Sequence, residues 1–118
     1  MSVKLSTRQV GDVSVVDVAG RITLGEGSSA LRDALRDMVG KGHKMILLNL
    51  GDVSYIDSSG IGELVSGFTT VTNQGGQLKL LNLTKRVKDL LQITKLYTVF
   101  DVHDDEAGAV RSFATKTP

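Results

Sequence analysis

The spacing of hydrophobic positions changes along the chain, and each change predicts an element. Val3, Leu5, Thr7 and Gln9 alternate with Lys4, Ser6 and Arg8, the period of a half-exposed strand. Gly11-Asp12 separates this run from Val13, Val15 and Asp17-Val18. Glycine reaches positive φ at no steric cost, so the pair predicts a tight hairpin and two antiparallel strands. Gly25, Gly27, Ser28 and Ser29 read as a loop and cap. Leu31, Ala34, Leu35, Met38 and Val39 then recur at helical spacing, with Arg32, Asp33, Arg36 and Asp37 on the wet face and Gly40 and Gly42 as the stop. Met45-Ile46-Leu47-Leu48 has no alternation, as in a central strand covered on both faces.

Residues 51–57 read as a short loop. A second helical stripe follows, Ile61, Leu64, Val65, Phe68 and Val71, ended by Gly75-Gly76. Leu78, Leu80 and Leu81 predict a strand, and Thr84 caps a short helix carrying Val87, Leu90 and Leu91. Val99-Phe100-Asp101-Val102 reads as the last strand. Asp104 or Asp105 then caps a final helix with Ala107, Val110 and Phe113 or Ala114 inward. The order is ββαβαβαβα. Strand–helix–strand units favour parallel pairing through right-handed crossovers, so the expected sheet is mixed and mostly parallel with an antiparallel opening hairpin.

Composition narrows the function. The 118 residues form one domain by size, and 41% apolar with 23% charged residues is ordinary for a globular chain. Lys plus Arg is 14 against 13 for Asp plus Glu, a net charge of +1, which argues against nucleic-acid or membrane-surface binding. The chain has no cysteine, which excludes disulfides, thiolate metal sites and Cys nucleophiles. The first residues lack the features of a signal peptide and no apolar run approaches a membrane span, so a cytoplasmic protein without membrane insertion is expected.

The informative stretch is Leu48-Asn49-Leu50-Gly51-Asp52-Val53-Ser54-Tyr55-Ile56-Asp57-Ser58-Ser59-Gly60-Ile61-Gly62, between the apolar strand and the second helix. Asp57, Ser58, Ser59 and Gly60 fall at that helix's N-terminus. Its backbone N–H groups lack intrahelical partners and the helix dipole is positive there, so the site favours an anion, including a phosphate. Asp57 is the expected cap and orienting residue, and where a cap needs one hydroxyl two are presented. Gly60 and Gly62 keep the first turn free of bulk, open to another surface.

The stretch resembles the STAS domain, the fold of bacterial anti-sigma factor antagonists and of the cytoplasmic tails of sulfate transporters. The matching residues are Leu47-Leu48-Asn49-Leu50 and Val53 to Gly62, with Gly20-Arg21-Ile22 matching a turn after the second strand and Gly75-Gly76-Gln77-Leu78 the entry to the fourth. The resemblance spans the whole chain, so residues 1–118 are expected to form a single α/β STAS domain. It implies partner switching. The unphosphorylated antagonist binds an anti-sigma factor with serine kinase activity, phosphorylation releases it, and a phosphoserine phosphatase resets it. Ser59 matches the phosphorylated position, with Ser58 as the fallback. The implied docking face comprises Asp57, Ser58, Ser59, Gly60, Ile61 and Gly62 with Arg21 and Thr23.

A phosphate adds about −1.5 to −2 charges and moves the chain's balance from +1 to about −1. Asp57 and Asp52 are expected near it. One departure stands out: Thr23 occupies a position where kinase-regulated members often carry an acid, which implies slow modification or a different kinase. The alternative within the fold is an unphosphorylated STAS subunit docking on an ABC-type transporter ATPase or in a stress-signalling scaffold.

Other classes fit poorly. A receiver domain with Asp57 as acceptor lacks the acidic pair after the first strand and the lysine after the last. A Ser59 nucleophile needs a base, and His43 and His103 read as solvated loop residues too few for a metal site. No P-loop or G-x-S-x-G elbow occurs. Neither enzyme activity nor a cofactor or metal is expected. Lys85, Arg86 and Lys88, three cations on one short helix, read as a solvated face, with contact to an acidic partner as the other reading.

Overall fold

The computed structural model describes residues 3–114. Their order is β1 (Val3–Val10), β2 (Val13–Ile22), α1 (Glu26–Gly40), β3 (Met45–Ile56), α2 (Ser58–Asn73), β4 (Gln77–Leu81), α3 (Lys85–Ile93), β5 (Val102–His103) and α4 (Glu106–Ala114). Of Ala114 the backbone alone is described, so its expected inward packing lies outside the described residues, as does Pro118. Gly11 takes φ 59° and folds β1 back on β2, with Val10 opposite Val13. The strands lie in chain order across one sheet; β1 and β2 are antiparallel and the remaining neighbours parallel.

β3 is the central strand, and both faces are covered as its apolar run requires. Ile46, Leu48 and Leu50 join Leu31 and Leu35 of α1, Leu64 and Val71 of α2 and Val87 and Leu91 of α3 in one core. Leu47 points the other way, to Val13, Val15, Leu81, Ala109 and Phe113 beneath α4. Three helices therefore cover one face and α4 the other.

Five local expectations are corrected. Residues 51–57 are not a loop: β3 continues to Ile56 and stays paired with β2 as far as Ile22↔Ile56. Register shifts between Asp17 and Ala19 and between Gly20 and Arg21 reset the pleat, so Leu50, Val53 and Ile56, three apart, all reach the same core. For the same reason Gly20-Arg21-Ile22 lies within β2 rather than in a turn. α1 starts at Glu26, because Gly27 lets its first turn lie against the Arg21 carbonyl, where a β-carbon would overlap. Only Val102-His103 remains of the last strand, pairing with Leu80 and Leu81 of the short β4. In α4 Asp105 is the cap, its Oδ2 accepting from Gly108 N at 2.7 Å; Ala109 and Phe113 are buried and Ala107 is exposed.

The histidines are not simply solvated. His43 Nδ1 lies 2.7 Å from the buried Ser14 hydroxyl, and His103 belongs to β5 with Nε2 3.1 Å from Asp101 Oδ2. Helices α1, α2 and α3 all end in Schellman hydrogen bonds, for α3 Leu96 N to Leu91 O at 2.8 Å and Lys95 N to Gln92 O at 3.0 Å.

Candidate functional site

The ends of β2 and β3 lie side by side at the C-terminal edge of the parallel strands, where open α/β sheets commonly hold their ligands. β3 passes directly into α2 through Asp57, whose backbone is extended at φ −112° and ψ −174°. Asp57 joins three segments. Its Oδ1 accepts from Gly60 N at 3.0 Å, capping α2. Its Oδ2 accepts from Leu24 N at 3.0 Å, fixing the loop between β2 and α1. Its own N–H donates to Ile22 O at 3.3 Å.

Partial burial works against this carboxylate's charge, but the N–H groups of Leu24, Gly60, Ser59 and Asp57 itself outweigh it. The Asp57 pKa is therefore held below the ordinary carboxylate range.

Gly60 is buried because α2 starts tight against the strand ends. A β-carbon there would overlap the Ile22 carbonyl oxygen and lie 2.6 Å from Ile56 Cγ1. Ile61 is 4% exposed and anchors the turn from below. Gly62 faces outward, with nothing within 4 Å of where its β-carbon would lie. The two glycines thus have different roles: Gly60 allows the helix to reach the sheet, and Gly62 leaves its outer surface flat.

Ser58 is exposed and Ser59 half-buried at the first two helical positions. No acidic residue occupies the first turn of α2, so a phosphate there would meet the Asp57 carboxylate as its neighbouring negative charge. Asp52 is not at this end. It pairs with Ala19 along the strand, about 13 Å back from Ile56 at the usual rise per residue.

Arg21 and Thr23 flank the same edge. Thr23 O accepts from Ser28 N at 3.0 Å, which closes the loop onto α1. The Arg21 guanidinium lies 4.9 Å from the centre of the Tyr55 ring.

Two features of this edge come from the tertiary structure. Leu24, pinned through its N–H by Asp57, is 79% exposed, although it is large and apolar. Arg86 of α3 also lies over Tyr55, at 5.0 Å. The apolar residue inside a glycine-rich loop was a signal for Leu24. For Arg86 the signal was the cationic run with Lys85 and Lys88, while its position over Tyr55 depends on how α3 packs beside β3.

The family model for the STAS domain matches residues 4–109. The anti-sigma-B factor antagonist of Bacillus subtilis is 34% identical over 111 residues, 94% of this chain and 100% of that protein. An anti-sigma factor antagonist from Mycobacterium paratuberculosis superposes with a TM-score of 0.85 at 19% identity, covering 96% of this chain and 95% of that one. The Bacillus cell fate determinant SpoIIAA in its phosphorylated form gives a TM-score of 0.71 at 19% identity, covering 92% and 99%. The chain belongs to the STAS domain family, the family of the anti-sigma factor antagonists to which it is similar.

Proposed function

We propose that this protein is an anti-sigma factor antagonist that works by partner switching. Unmodified, the face formed by Asp57 to Gly62 with Arg21, Thr23 and Leu24 binds an anti-sigma factor with serine kinase activity. That kinase phosphorylates Ser59, the complex dissociates, and a phosphoserine phosphatase restores the binding form. The observation that carries this reading is Asp57. One carboxylate caps α2 and holds the neighbouring loop, so two hydroxyls stand on a rigid, glycine-flanked face with no bulky side chain between them and a partner.

The chemistry follows from charge and shape. A rigid face loses little entropy on docking. A phosphate carries about −1.5 to −2 charges and must be desolvated at the centre of any interface it enters, beside the Asp57 carboxylate. Release then requires no refolding. In keeping with this, the unphosphorylated and the phosphorylated SpoIIAA each superpose on this chain with a TM-score of 0.71. Ser58 is the alternative acceptor, favoured by its greater exposure.

Intact-mass measurement with peptide mapping, on protein purified from its own host during growth and under stress, tests the reading. The expected result is one phosphate on Ser59 whose occupancy changes with condition. The unmodified chain and Ser59→Ala should retain a serine kinase that Ser59→Asp binds at least tenfold more weakly, about 1.4 kcal/mol. A phosphate on Ser58 corrects the residue and keeps the mechanism. No phosphate under any condition, with capture of a transporter ATPase instead, refutes switching in favour of constitutive docking.

A further inference from the structure

β3 outruns its neighbour. It pairs with β4 only as far as Asn49↔Leu81, while its pairing with β2 continues to Ile56. Asn82, at φ 60°, then turns the chain off the sheet, and α3 packs beside the unpaired edge, with Val87 and Leu91 in the core that holds Val53 and Ile56. This leaves an open groove of about 560 Å³ between Tyr55 and Ile56 of β3 and Lys85, Arg86, Asp89 and Ile93 of α3. The groove begins one residue before the Asp57 cap and is continuous with the proposed docking face.

Its lining is unusual in two ways. Ile93, on the last turn of α3, is 76% exposed beside a concave surface. The guanidinium of Arg86, in the lining, and that of Arg21, at the adjoining end of β2, both lie over the Tyr55 ring, at 5.0 and 4.9 Å from its centre. Among the described residues neither has a carboxylate within ion-pair distance, whereas the acid in the groove, Asp89, is paired with Lys85 at 2.8 Å. The whole chain carries only +1, so this cationic character is local. Cation–π contact with one ring restrains two planar five-donor forks, whose geometry matches carboxylates.

We propose that the groove is a second docking element, which receives an acidic segment of the partner bearing an apolar side chain. The carboxylates engage Arg21 and Arg86, and the apolar side chain covers Ile93. The proposal rests on the antagonist reading and extends it: the helix start senses phosphorylation, and the groove selects which partner docks. Charge complementarity of this kind chiefly sets association rate, salt dependence and discrimination between partners.

The test uses the full chain and the serine kinase retained by the unmodified protein. Binding is measured by titration calorimetry for wild type, Arg86→Glu, Ile93→Ser and Ser59→Asp, with circular dichroism verifying each fold. Arg86→Glu should raise Kd at least tenfold and flatten its salt dependence; Ile93→Ser, at an exposed position, should raise it about fivefold. Should Arg86→Glu misfold, Arg86→Gln carries the same expectation in smaller measure. Wild-type affinity in both Arg86→Glu and Ile93→Ser, with binding lost in Ser59→Asp, overturns the groove and leaves the antagonist reading standing. No binding by the unmodified wild type removes both. If Arg86→Glu spares kinase binding but abolishes retention on heparin or phosphatidylserine vesicles, the occupant is a polyanion and the protein-partner assignment fails.

Discussion

Gly60 and Gly62, two residues apart on one helix, should respond to the same substitution with opposite sign. Alanine in a helix interior is intrinsically more favourable than glycine by about 0.8–1 kcal/mol. At Gly62 that gain is realised, because nothing lies within 4 Å of the new methyl group. At Gly60 the methyl meets the Ile22 carbonyl oxygen, Ile56 Cγ1 at 2.6 Å and Ile22 Cγ2 at 2.9 Å. The side chains have some freedom, but the carbonyl belongs to β2 and accepts the Asp57 N–H. Overpacking costs about 1–3 kcal/mol. Moving α2 outward also weakens the Asp57 cap, worth about 1 kcal/mol. Together these exceed the propensity gain and leave Gly60→Ala less stable than wild type by about 2 kcal/mol. At about 4 °C per kcal/mol for a domain of this size, its Tm should fall by about 8 °C while that of Gly62→Ala rises by about 3 °C. Urea unfolding with unchanged m-values is the companion assay, since a constant m shows that the two-state comparison holds. A Gly60→Ala protein as stable as wild type would refute the reasoning, because it would mean α2 can leave the strand ends at no cost. Gly62→Ala carries a second expectation: more stable, yet weaker in partner binding, because its methyl stands on the flat docking face.

Asp57→Asn keeps one acceptor and loses the bond from Leu24 N, so it should cost about 1 kcal/mol near neutral pH. The folded Asp57 pKa is lowered, so its contribution is complete above about pH 4 and fades as pH falls through the lower folded value. The gap between variant and wild type should therefore close in acid unfolding titrations, and a gap that widened in acid would contradict the assignment. Arg8 Nε and Nη2 reach Asp17 at 2.6 and 3.1 Å, and its Nη1 and Nη2 reach Glu106 at 2.9 and 2.6 Å, fastening β1 and β2 to α4. The group is partly exposed, so Arg8→Met should cost only about 1 kcal/mol, with Glu106→Gln restoring part of it by removing a facing charge, read in a double-mutant cycle. Lys95 holds the left-handed position after α3 at φ 63°, where glycine is free of strain; Lys95→Gly should raise stability by about 1 kcal/mol in urea unfolding.

Helical stripes and turn glycines are local signals, and they were legible. The stripe from Leu31 to Val39 packs inward as its spacing requires, Thr84 caps α3 through a 3.3 Å bond from Val87 N, and Gly11 turns the hairpin. Asp57 was legible as a cap for the same reason: an N-cap is defined by residues within three positions of itself. The stretch from Gly51 to Ile56 was not. Its apolar residues fall every third position, which matches no regular strand, and only the bulged pairing with β2 makes that spacing bury one face. The last strand was misplaced because a two-residue strand has too little period to read.

The sequence by itself determined the order of elements, the cap, the pair of hydroxyls and the glycines that leave them open. All of these are set by neighbours a few residues apart, through propensity, φ preference and orphan helix donors. The tertiary structure decided what lies beside them. It brought Leu24 N to the second oxygen of Asp57, placed Arg21 and Arg86 over Tyr55, and left the α3 groove where β4 stops short of β3. Those juxtapositions join residues distant in the chain, and they follow from strand register and strand length, which depend on pairing partners rather than on local spacing.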